Sequence, residues 1–157
     1  MASFFRLLAG IGLLLAVGAC ASSPKEELIQ HADAECGEIT TRFKGDLSFD
    51  GKDAYEGMQV LDQRAALLQN LQNDVRAMPS PETDQRGLND WLTRVDKLAV
   101  EMRTLRSVYQ NATRGTETLL VLQVALVNEV AREVGPAAAR FGFTTCADTG
   151  AWTTGSV

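Results

Sequence analysis

The chain has 157 residues, of which 45% are hydrophobic, the length of one domain with enough apolar material for a real core. Fifteen basic residues against 20 acidic give a net charge of −5 at pH 7. That balance argues against nucleic acid or an anionic headgroup surface as a main partner.

The α-amino group and Arg6 stand ahead of an apolar segment from Leu7 to Val17. At about eleven residues it falls short of the roughly 20 needed to span a hydrocarbon core. It ends in small residues, as a removable export signal does. The closing Val17-Gly18-Ala19-Cys20 resembles the lipobox of bacterial lipoproteins. The resemblance implies that the Cys20 thiol becomes a diacylglyceryl thioether, that the leader is cut just before it, and that the new N-terminus is, as often in that family, acylated, with palmitate expected. The protein would then be lipid-anchored at the extracytoplasmic face of the cell membrane. The alternative is an ordinary signal cleavage site with Cys20 left as a thiol.

Two or three acyl chains hold firmly where one is marginal, at about 0.8 kcal/mol per buried methylene. Only Ala21 and Ser22 separate Cys20 from the first helix signal, so the folded part begins about 10 Å from the bilayer at roughly 3.5 Å per residue. The expected organisation is a signal peptide over 1–19, a lipidated tether over 20–23, a helical bundle over 24–146 and a disordered tail over 147–157. Losing Arg6 with the leader leaves 14 basic residues against 20 acidic, a net charge of about −6.

With Cys20 spent on lipid, Cys36 and Cys146 remain. An even pair in an exported chain reads as a disulfide. A redox or metal role has no Cys-x-x-Cys spacing and only one histidine to draw on.

The rest of the chain has helical periodicity. Ser23-Pro24-Lys25-Glu26 combines a capping serine, proline at the first helical position and glutamate at the third. Leu28, Ala32, Cys36, Ile39 and Phe43 then form one inward stripe. Gly45 to Gly51 is a loop. A second helix opens at Asp53-Ala54-Tyr55-Glu56 and carries Met58, Leu61, Ala65, Leu68, Leu71, Val75 and Met78 inward.

Pro79-Ser80-Pro81 turns the chain. A third helix follows with Leu88, Trp91, Val95, Leu98, Met102, Leu105, Tyr109 and Ala112 inward. After a turn at Arg114-Gly115-Thr116, the run from Thr118 to Val127 is apolar almost all round, which predicts the most buried element. Gly135-Pro136 is expected to kink or break this helix before Ala137. Four such helices with short turns predict an all-α, up-down-up-down four-helix bundle, which returns Cys146 to the neighbourhood of Cys36.

The lipobox leader, Ala34-Glu35-Cys36 in the first helix, the proline turn between two long helices and Gly142-Phe143-Thr144-Thr145-Cys146 near the end together resemble small exported proteins and lipoproteins of unknown function common in actinobacteria. The resemblance implies a disulfide-closed helical bundle. It implies no activity.

Signals for chemistry are sparse. Di-iron bundles need paired Glu-x-x-His motifs, and His31 is the only histidine. Cys-x-x-Cys-His for a c-type haem is absent, and Met58, Met78 and Met102 have core spacing rather than a ligand pattern. Asp33, Glu35 and Glu38 beside His31 would suit a cation or acid–base work, but a charged helix face accounts for them. Arg94, Lys97, Arg103, Arg106 and Arg114 alternate with Asp96 and Glu101 and read as a solvated face. No phosphate loop or nucleophile motif appears.

No catalytic residue, cofactor or metal is therefore expected, and the chain reads as a noncatalytic lipoprotein that contacts an envelope protein or supports a membrane complex. An exposed apolar patch would favour that reading. The runner-up is a carrier of a lipophilic ligand between the helices, which needs an internal cavity. A hydrolase or metal enzyme would need a cleft with converging polar groups.

Overall fold

The computed structural model describes residues 23–49, 53–80, 82–113 and 117–155. The leader, Cys20, Arg114, Ser156 and Val157 lie outside them. Four helices carry the fold: α1 (Pro24–Lys44), α2 (Ala54–Ala77), α3 (Gln85–Gln110) and α4 (Glu117–Phe141). They form an up-down-up-down bundle in which α3 packs along both α2 and α4, while α1 leans on α2 and on the segment that follows α4.

Local sequence sets the helix starts. The Ser23 hydroxyl accepts the Glu26 N–H at 3.2 Å, and the Glu26 carboxylate accepts the Ser23 N–H at 2.8 Å, so two donors that helix geometry leaves orphaned are satisfied. Asp53 accepts the Glu56 N–H at 2.8 Å to open α2. All five stripe residues of α1 are buried. In α2 and α3 the expected positions line the core, except that Met58 and Met78 are only half-buried and Ala112 lies exposed beyond the end of α3.

The loop after α1 closes over the bundle end. Leu47 and Phe49 are buried, and the Phe49 ring meets Tyr109 edge-on at 5.8 Å. Beneath it Arg64 of α2, 2% exposed, has no carboxylate partner among the described residues and donates to three backbone carbonyls. Its Nε reaches Leu47 O at 2.7 Å, Nη2 reaches Phe43 O at 2.9 Å and Nη1 reaches Thr153 O at 3.0 Å. Phe43 is in the last turn of α1, where carbonyls lack intrahelical donors and the helix dipole is negative. One cation thus caps α1, holds the loop and receives the segment that follows α4. Burial lowers the guanidinium to about 10, which leaves it protonated at neutral pH.

Of the kink or break expected at Gly135-Pro136, the break is corrected: α4 continues through Pro136 to Phe141. Beside it, a β-carbon on Gly135 would lie 2.6 Å from the Ala147 carbonyl oxygen, so glycine is what lets the following backbone lie against the helix. The chain leaves α4 at Gly142, whose φ of +114° suits glycine, with its N–H shared between the Ala138 and Ala139 carbonyls.

Residues 147–155 are an ordered strap and not a disordered tail. Trp152, in a 3-10 turn (Gly150–Trp152), is fully buried, packs against Phe43 and donates its indole N–H to Thr40 at 2.9 Å. The Thr149 hydroxyl donates to Ala131 O at 3.0 Å, and Asn128 of α4 exchanges hydrogen bonds with Thr154 and Gly155. Polar side chains here serve backbone groups that burial would otherwise strand.

Cys36 and Cys146 are disulfide-bonded, with Cα atoms 5.1 Å apart and a sequence separation of 110. Closing a loop of that length is worth about 4–5 kcal/mol in the chain-entropy picture. Asp33, one turn before Cys36, accepts the Thr144 N–H at 2.9 Å, the Thr144 hydroxyl at 2.7 Å and the Cys146 N–H at 2.9 Å. The bundle end that carries Ser23 is closed by Lys25, which pairs with Asp84 at 2.9 Å and lies 4.9 Å over the Phe141 ring.

Candidate functional site

The feature of α4 that departs most from expectation is its exposure. Helix four is not the most buried element: in its first half Leu119 is 58% exposed, Val121 54% and Leu122 60%, with Leu126 at 36%. A helix on a bundle can turn only one face inward, and that face is Val124, Val127, Val130, Ala131 and Val134. A run that is apolar all round therefore leaves its outer face in water. From Thr118 to Asn128 there is no ionisable residue. Charge returns abruptly at Glu129.

The patch has relief as well as composition. On the strap side, Val121, Val124, Ala125 and Asn128 line a groove of about 400 Å³ that runs to Arg132, Thr153 and Gly155. On the α3 side, Leu119 meets Thr104, Ser107, Val108 and Asn111 around a second depression of about 260 Å³, almost wholly apolar. A leucine ridge stands between two grooves. Gln123, the polar interruption of the run, turns toward α3 and donates to the Glu101 carboxylate at 2.8 Å.

The remaining sequence candidates are absorbed by structure. His31 is exposed and pairs with Glu35 at 2.8 Å. Asp33 points away from both, into the backbone after α4. Glu35 and Glu38 border a cleft of about 240 Å³ between α1 and α2 that Asp74 also lines, over an apolar floor of Ile39, Leu67 and Leu71. Burial raises the Glu35 carboxyl above its ordinary 4.5; the His31 charge pulls it back, while Asp74 and Glu38 push it up. Among the described residues no group of three or more His, Cys, Asp and Glu side chains is arranged to hold a metal ion, and no helix is long and apolar enough to cross a membrane.

The basic residues of α3 lie among partners. Arg94 pairs with Asp90 at 3.3 Å and with Glu133 at 3.0 Å, and Arg106 pairs with Asp62 at 3.2 Å. Arg103 donates to Gln69, and Lys97 is exposed. Arg94 and Arg140 together hold Asp90 below the usual carboxylate range. Met102 is buried in the core, with Met58 and Met78 at its edge.

No protein family, curated protein or solved structure matches this chain.

Proposed function

We propose that this is a noncatalytic, lipid-anchored protein of the bacterial cell envelope whose working part is the outer face of the first half of α4, a docking surface for protein. The observation that carries the reading is the set of large apolar side chains held in water on a helix, between an almost wholly apolar groove on the α3 side and a mixed apolar and polar groove on the strap side. The largest apolar patch on a folded domain is often a functional surface. The anchor half of the reading rests on Val17-Gly18-Ala19-Cys20.

The two ends of the molecule divide these tasks. Ser23, three residues after Cys20 in the sequence, lies at the bundle end formed by the start of α1 and the end of α4. Leu122 lies 19 residues before Phe141, roughly 30 Å along α4 at 1.5 Å per residue. A docking face at that height stands clear of the bilayer that holds the acyl chains. Metabolic labelling with a clickable fatty acid tests the anchor: label on the full chain, lost in Cys20→Ser together with the membrane fraction, is the expected result. An unlabelled wild-type chain overturns that half of the reading.

A further inference from the structure

The geometry points to a second copy of this chain as the occupant of the α4 face, the two α4 helices packing in parallel about a two-fold axis along the bundle. This rests on the reading of that face as a protein docking surface and names its partner.

The stripe that faces away from the core is Thr118, Leu122, Ala125, Glu129, Arg132 and Pro136, every one of them exposed. The steps are four, three, four, three and four, the spacing of a helix–helix seam with a period of 3.5. Ala125 near its middle lets two backbones approach.

Shape and charge are both self-complementary. The Leu119–Leu126 flank and the groove lined by Val121, Val124 and Ala125 lie on opposite sides of the stripe. A two-fold axis parallel to the helices brings the leucine flank of each copy to the groove of the other, twice over, as an isologous interface requires. Below the apolar layers, Glu129 and Arg132 have no ion-pair partner among the described residues. In the pair they form a four-membered cluster of alternating sign.

The parallel sense also agrees with the anchor. An axis along the bundle leaves both N-terminal tethers at one end, so both lipids enter one membrane. The apolar half of the face is on the order of a few hundred Å², below the roughly 800 Å² per partner of a standard interface. Confinement to one membrane surface raises the effective concentration, so a small contact suffices there.

The test uses the full chain in the membranes of its own host, with single cysteines at Thr118, Leu122 or Ala125 and a short bis-maleimide linker. All three positions are expected to give a covalent dimer, at least about tenfold above a Gln63→Cys control on the outer face of α2. An antiparallel pair would link strongly only at the position on its axis, and would overturn the arrangement. In the Leu122→Cys background, Glu129→Arg and Arg132→Glu each lower the yield about tenfold, and the two together restore it. Failure of the double variant to restore it overturns the charge cluster and with it the proposed register.

No dimer at any of the three positions overturns the proposal. If position 122 then links to one different protein and Gln63→Cys does not, the docking reading stands without the second copy. If it links to neither, both fall.

Discussion

Residues 118–126 of α4 are almost wholly apolar, yet four of their large side chains face water. Residues 144–155, built mostly from Thr, Gly, Ala and Asp, bury a tryptophan, a disulfide sulfur and two threonines. Composition alone orders these two segments the wrong way round. What decides burial is how many partners the surroundings supply. The segment over 144–155 finds Asp33, Thr40, Arg64 and Asn128 waiting for its backbone and side chains, whereas the outer face of α4 finds no such partner among the described residues.

Mutating both segments sharpens the contrast. Trp152→Ala removes a fully buried ring and its bond to Thr40, and is expected to cost about 3–5 kcal/mol in urea denaturation. A loss under about 1 kcal/mol would mean that the strap contributes little to the fold. Gly135→Ala drives a methyl into the Ala147 carbonyl and is expected to cost about 1–3 kcal/mol while leaving α4 helical by circular dichroism.

A smaller effect belongs to Glu35. Its carboxyl is raised in the folded chain, so it takes up a proton more readily there than in the unfolded one. The stabilisation from that protonation is complete below the ordinary value of 4.5 and is lost as pH rises through the elevated one. Glu35→Gln should flatten the stability–pH profile just above pH 4.5, compared by denaturation at matched ionic strength. The smallest change in stability is expected at the apolar patch. Leu122→Asn should leave the unfolding midpoint within about 0.5 kcal/mol of wild type, because the side chain is already in water. A large loss there would make Leu122 part of the fold and not of a surface.

Much of the scaffold is readable from the residues. The capping box at Ser23, the stripe through Cys36 and the end of α2 before Pro79 are local patterns whose physics is complete within a few residues, and they recur in the structure. The Cys36–Cys146 bond followed from parity and from the return of the fourth helix. Arg64 was hidden because an arginine in a helix ordinarily faces water. Its three acceptors come from residues 17, 21 and 89 positions away, which no periodicity connects.

The strap was hidden for a similar reason. Thr149 is anchored by a backbone carbonyl of α4, and Trp152 and Thr154 by side chains of α1 and α4, so their order is visible only once the bundle exists. The exposed face of α4 was the one miss with a signal in reach. A helix in a four-helix bundle has solvent on one side, and eleven consecutive residues without a charge must put some of their apolar side chains there.

Arg64, Thr40 and Asp33 all wait on residues made only after α4. A growing polypeptide that has completed α1 to α3 still lacks the acceptor for one arm of a buried cation, the indole that fills the space over Phe43, and the thiol that matches Cys36. Premature termination anywhere before residue 146 would leave a reactive sulfur and an unplugged core, marking the product for proteolysis. A chain is freed of its reactive sulfur and its open core only once residues 144–155 are in place.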